Sequence, residues 1–447
     1  MLSAFANAFK TPDLRKKILF TMFVLAVFRL GSTIPTPNVN LENIHACQVQ
    51  VSGGDSAGLY SMINLFSGGA LLQLAIFALG IMPYITSSII LQLLTVVIPR
   101  LEKLKKEGGA GQNKITQYTR YLTIVLAIMQ STAFTTLAVN GQLFRGCTES
   151  IVYDAGIFPI IVMILTMTAG TGIIMWMGEL ITDRGVGNGM SVMIFTQIAA
   201  QFPTQLWSIA LAKGVDPNNA NMPNAAGWLA FAVVLGLGLL VMAGVIFMEQ
   251  AQRRIPVQYA KRMVGRRLVG GTTTYIPLKV NQAGVIPIIF ASSMLYLPML
   301  YSQFQPGNPV SSWINTYLSG SGSPWYNLVY FVLIIAFAYF YVAITFDPVE
   351  VADNMKKYGG FIPGIRAGRP TEKYLAHVLS RLTAPGSLYL ALISLLPALA
   401  WFLLGEQASR KFPFGGTSIL IIVGVGLDTV KQIESQLQQR NYEGFLR

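Results

Sequence analysis

From Ser56 to Pro99 the chain reads SAGLYSMINLFSGGALLQLAIFALGIMPYITSSIILQLLTVVIP, 44 residues without a charged side chain. One membrane helix needs ~20 apolar residues, at 1.5 Å each, to cross a hydrocarbon core ~30 Å thick. The stretch is about twice that, so it has to fold in more than one piece. Asn64-Leu65-Phe66-Ser67-Gly68-Gly69-Ala70 is a poor helix interior, with two glycines and several polar groups. Ile76 to Ile98 is a strong span, interrupted only by Pro83. Backbone that breaks inside a membrane is tolerated only where protein or a water-filled cavity surrounds it. A half-inserted segment beside a true span therefore points to a channel or transporter rather than an anchor.

With 53% hydrophobic and 11% charged residues and a mean hydropathy of +0.53, the chain is not a soluble globular protein. Windows of ~19 residues add candidate spans near 18–35, 121–140, 155–178, 190–211, 227–248, 283–304, 327–346, 382–404 and 414–430. With 76–98 that makes ten. No cleavable signal peptide is expected, because the first apolar run is long and lacks a small-residue cleavage site. The net charge of +13 is distributed by topology: with the amino terminus in the cytoplasm, 27 of the 32 Lys and Arg fall on that side. Arg145, Lys213, Arg410 and Lys411 fall outside, and Arg29 lies in the first span. The bias predicts a multi-pass protein with both termini cytoplasmic. Cys47 and Cys147 have no metal-site spacing. Both fall in external loops, where a disulfide is permitted and two free thiols are equally compatible.

The expected fold is an all-α polytopic membrane protein of ten transmembrane helices in two inverted five-helix halves, with a re-entrant plug segment. Residues 1–248 would hold spans one to five, the plug at about 59–74, and a sixth span leading into a basic loop at 249–281. Residues 282–447 would hold spans seven to ten, a cytoplasmic loop at 349–381 and a cytoplasmic tail. An odd number of spans per half inverts the second half, which places a pathway between them. The loop at 249–281 carries Arg253, Arg254, Lys261, Arg262, Arg266 and Arg267 among β-branched residues and glycines, a pattern that predicts a protruding hairpin. In the later loop Pro363, Pro370 and four glycines exclude a continuous helix.

Arg29, Glu179, Asp183, Glu249, Asp347 and Arg381 all lie near span ends. An ion-coupled transporter needs ionisable groups or broken-helix carbonyls near the midplane. A ten-span secondary transporter of a small solute is the alternative reading, and it lacks that site. His45 and His377 have no partners nearby in sequence, there is no Walker motif, and Gly185-Val186-Gly187-Asn188-Gly189 reads as a tight turn opening a helix. Neither catalytic residues nor a cofactor or metal are expected.

Several stretches, in order along the whole chain, resemble the SecY family of protein-conducting channels. They are Asn64–Ala70, Phe77–Ile85, Ile115–Tyr121, Gly185–Met190, Pro277–Pro287, Gly359–Ile365 and Gly415-Gly416-Thr417-Ser418. The resemblance implies a channel that passes unfolded secretory polypeptides across the bacterial inner membrane and releases hydrophobic segments sideways into lipid. Asn64, Phe66, Ser67, Gly68 and Gly69 would belong to its plug. Ile81, Ile85, Met190, Ile194, Ile286 and Ile421 would form the pore ring, with Met190 where the family usually has isoleucine. Such side chains offer ions no ligands, and a narrow apolar neck resists wetting. Thr86, Ser87, Ile90, Ser292 and Ser293 would face the lateral gate. Arg253, Arg254, Arg266, Arg267 and Arg366 would dock a SecA motor or, through ribosomal RNA, the ribosome. SecE-like and SecG-like small membrane subunits are the implied partners, with secretory precursors and membrane lipid.

Overall fold

The structure is a computed structural model. It describes residues 11–51, 69–71, 73–141, 147, 150–212, 215–216, 219–223, 225–259, 262–264, 267–269, 273–304, 308–318, 323–396 and 416–445. The expected plug falls mostly outside these residues: Asn64, Phe66, Ser67 and Gly68 are not among them, and Gly69 is.

Helix α1 (Pro12–Gly31) begins on a proline, whose missing N–H is no loss in a first turn. Helix α2 (Leu41–Val51) follows, and its Cys47 forms a disulfide with Cys147, the Cα atoms 5.3 Å apart. The two cysteines, open as a pair in the sequence, are bonded. That bridge sits in an apolar cluster of Ile44, Leu74, Leu137, Ile151, Val152 and Met163.

Residues 73–81 turn irregularly rather than coil into a helix. Leu74 has φ 46° and Gly80 φ 58°. This backbone is enclosed by protein: Ala70, Leu74 and Ala75 are buried, and the Leu74 carbonyl accepts from both the Thr36 N–H and the Thr36 hydroxyl, each at 2.9 Å. Enclosure supplies the hydrogen bonds that lipid cannot. Two glycines make the close packing possible. A β-carbon on Gly170 would collide with the Ile76 carbonyl, and one on Gly31 with the Phe77 ring.

Helix α3 (Met82–Val97) starts six residues later than the predicted span. Pro83 occupies its first turn, so the proline opens the helix instead of interrupting it. After Ile98 the chain bends by 101° into α4 (Pro99–Lys106). Then come α5 (Gly109–Val139), α6 (Ile157–Arg184), α7 (Gly189–Ala212), a two-stranded ribbon of β1 (Val215–Asp216) and β2 (Asn219–Pro223), and α8 (Ala225–Gln250).

The basic loop forms the predicted hairpin. Strands β3 (Gln252–Tyr259) and β6 (Thr273–Lys279) pair antiparallel, with Arg253 opposite Leu278 and Arg254 opposite Pro277. Between them β4 (Arg262–Val264) pairs with β5 (Arg267–Val269). Next are α9 (Ile286–Phe304), α10 (Pro309–Tyr317), α11 (Pro324–Thr345), α12 (Pro348–Lys357), β7 (Gly360–Phe361), α13 (Arg369–Ser394) and α14 (Gly416–Phe445). Strand β7 adds to β3, Gln258 opposite Phe361, so the two large loops fold as one unit. Its core is Ile255, Val257, Leu278, Met355, Ile362, Leu375 and Val378.

The chain is mostly helical. Among the described residues four helices are long and apolar enough to cross a membrane, or up to five if the bent α3–α4 pair is one span. Their outward faces are apolar, as lipid requires: Phe158, Leu165, Leu240 and Phe247 are exposed.

Candidate functional site

Helices α1, α6, α7 and α14 and the irregular segment before α3 bring Val24, Phe28, Phe77, Ile81, Ile174, Met193, Ile194, Ile198 and Ile421 into one buried cluster, against which Ile85 of α3 and Met190 pack. Five of the six expected ring residues are in it. The sixth, Ile286, packs with Ile85 against Ile89, Ile289 and Phe290 in a neighbouring cluster, and Val285 touches both. The six therefore lie in two adjoining apolar clusters that share Ile85 and Val285 and draw on both earlier and later parts of the chain.

Local sequence explains how α7 delivers Met190 and Ile194. Gly189 sits where a β-carbon would strike the Gly178 carbonyl, so α6 and α7 approach with backbones in contact. The Gly189 N–H donates to Thr182 Oγ1 at 2.9 Å, and the Met190 N–H donates to Asn188 Oδ1 at 3.1 Å. The Val186 N–H is taken by Thr21 Oγ1 at 3.1 Å, tying the turn to α1. Gly187 has φ 87°, a conformation that favours glycine. The glycine-rich segment is thus a tight turn, as its context suggested, and Gly178 leaves room for the Met190 thioether beside it.

The seam between α3 and α9 is apolar. Ile85, Ile89 and Leu93 meet Ile286, Ile289 and Phe290. The hydroxyls expected there bond elsewhere: Thr86 Oγ1 donates to Met82 O at 2.9 Å, Ser87 Oγ to Thr119 O of α5 at 3.0 Å, and Ser292 Oγ to Ile289 O at 2.9 Å. Ser293 Oγ has no partner. Ile90 is half-buried.

On the joined loops Arg253, Arg254 and Arg366 are exposed, while Ile255 and Val257 of the same strand face the core. Arg266 lies outside the described residues, and Arg267 is placed in β5 by its backbone. At the foot of the hairpin, buried Asn281 donates to Glu249 Oε1 at 2.5 Å and to the Gly284 carbonyl at 3.3 Å. Lys279 pairs with Asp428 of α14 at 3.7 Å. These bonds bind the foot of the hairpin to α8, to the turn before α9 and to α14. Sequence reading passed over Asn281, though it lies inside a quoted motif.

One ion pair joins two helices at the bundle surface. Arg120 of α5 donates from Nε and Nη2 to the two carboxylate oxygens of Glu179 on α6, both at 2.8 Å. A groove of about 390 Å³ lies beside that pair, lined by Trp176 and Asp183 among others.

Residues 75–430 match the SecY family model. The chain belongs to the SecY family. A protein translocase subunit SecY from Streptomyces galbus is 62% identical over 450 residues, spanning 100% of both chains. The protein of that name from Mycobacterium bovis is 56% identical over 454 residues, again end to end. Among solved structures, one described as a protein conducting channel superposes with a TM-score of 0.62 at 17% identity, covering 94% of this chain and 91% of the other. Sec61 in the canine ribosome-channel complex gives a TM-score of 0.57 at 15% identity, with the same coverage. At such identities these likenesses establish the shared fold.

Proposed function

We infer that this SecY-family protein is the channel subunit of a bacterial protein translocase, and that unfolded secretory polypeptides cross the membrane through the meeting point of its two halves. The observation that carries the reading is the gathering of Ile81, Ile85, Met190, Ile194, Ile286 and Ile421 in two adjoining apolar clusters. Aliphatic side chains there close the path to ions without binding them, and they yield sideways around an extended chain of any sequence. A small-solute transporter would instead need a polar binding site at that depth, where this chain gathers five isoleucines and a methionine.

Finer features follow from this reading. Ten spans cross the membrane with both termini cytoplasmic, and residues 59–74 plug the external funnel. Apolar signal segments leave between α3 and α9, where the contact is apolar and its side chains slide apart without breaking strong hydrogen bonds. Arg253, Arg254, Arg266, Arg267 and Arg366 present cations to a SecA motor or to ribosomal RNA. SecE-like and SecG-like subunits complete the assembly.

The test is photocrosslinking from a probe at Ile85, which is half-buried and can accept a larger side chain. The control probe sits at Leu165, 60% exposed on the outer face of α6. With a precursor arrested midway, adducts from Ile85 and none from Leu165 are expected. Adducts from neither, in a protein that still supports export, would remove this pore and reopen the transporter reading.

A further inference from the structure

Among the described residues, four buried side-chain polar atoms lack a hydrogen-bond partner: Gln197 Nε2, Ser293 Oγ, Ser311 Oγ and Ser418 Oγ. Unpaired buried polar atoms are uncommon because each forgoes a bond it could make in water. Three of the four lie on helices that carry ring residues. Gln197 follows Ile194 by three positions on α7, Ser418 precedes Ile421 by three on α14, and Ser293 follows Ile286 by seven on α9. Spacings of three and seven return to the same helix face, so each polar atom lies along the face that turns its ring residue inward.

All three also lie to one side of the ring. The start of α7 is at the later part of α14, since Val186 packs on Ile433. So is the start of α9, since Lys279 pairs with Asp428. Moving from Ile194 to Gln197, from Ile286 to Ser293, and back from Ile421 to Ser418 therefore leads away from the hairpin end in every case. At 1.5 Å per residue the displacements are about 4–5 Å for Gln197 and Ser418 and about 10 Å for Ser293. Gln197 and Ser418 are 1% and 0% exposed.

We propose that Gln197, Ser293 and Ser418 form a polar collar just beyond the ring that hydrogen-bonds the main chain of the emerging polypeptide. The inference rests on the pore reading above. Inside the aliphatic neck a peptide group has neither water nor protein partners, yet every residue but proline brings one N–H and one C=O. Hydroxyls and carboxamides both donate and accept, so the collar can pair with either group regardless of side chain. That is the recognition a channel for many sequences requires.

The test uses membrane vesicles from the native cell and two precursors, one ordinary and one in which a run of amides is replaced by esters, which lack the N–H. Passage rates of both are measured through the wild type and through Q197L/S293A/S418A. Because esters also change desolvation in the neck, the quantity read is the amide-to-ester rate ratio. That ratio is expected to fall about fivefold in the variant, the factor for roughly one hydrogen bond lost, and to recover in S293T/S418T with Gln197 retained. An unchanged ratio, with both precursors still passing, overturns the collar and leaves the pore standing. If the wild type passes neither precursor, the pore reading fails and the collar with it.

Discussion

At the scale of single residues, two glycines decide how the constriction is built, and they do so unequally. In Gly189→Ala the new methyl meets the Gly178 carbonyl, backbone that cannot rotate away. We expect a loss of about 1–3 kcal/mol, typical of overpacking, read as a lower melting temperature of the purified protein in detergent. In Gly178→Ala the methyl meets first the Met190 thioether, which is flexible and can move. That variant should melt near the wild type but leak ions across planar bilayers, because Met190 is pushed from its place. Ile194→Asn tests the neck directly: a carboxamide would favour water where Ile194 now packs with Ile198 and Ile421, and resting conductance should rise, while Ile194→Leu leaves it unchanged. Equal conductance in both would deny the ring its sealing role.

At the scale of elements, the loops at 249–281 and 349–381 behave as one body since β7 extends the hairpin and α13 closes its core. Leu375 is fully buried there. Leu375→Ala should cost about 2–5 kcal/mol within that unit, detectable as faster amide exchange in β3 and β6. Arg253→Ala with Arg254→Ala should leave exchange untouched and weaken ribosome binding, with a shallower dependence on salt. A result in which the arginine variant changes exchange but not binding would make those side chains structural. The hairpin was legible from its alternation of basic and β-branched residues. Its union with β7 was not, because residues 258 and 361 are paired across about a hundred positions and no local pattern encodes that contact.

At the scale of the molecule, the Cys47–Cys147 bridge ties α2 to the connection between α5 and α6. It closes a loop of 100 residues, for which the chain-entropy account gives about 4–5 kcal/mol. Replacing both cysteines with serine should lower the melting temperature, and reducing the wild type should reproduce the shift. The bridge also tests orientation, since disulfides persist in oxidising compartments. After reduction of intact cells, a thiol reagent that cannot cross the membrane should label Cys147. Labelling only in inverted vesicles would turn the proposed topology over.

The sequence by itself determined the membrane class, the positions of the apolar segments and, through its ordered motifs, the family, because hydropathy and charge are sums over neighbouring residues. It also marked Asn64–Ala70 as a poor helix interior, since glycines and polar groups cluster there, but it took 76–81 into the following span, where the chain turns irregularly instead. Only the tertiary structure decided which way α3 and α9 turn. Thr86, Ser87 and Ser292 bond within their own helix or toward α5, and isoleucines meet across the seam. In a helix that is apolar nearly all round, the 3.6-residue period gives no signal for rotation about the axis. That angle is set by packing against neighbours distant in sequence, and with it the residues that meet across the seam.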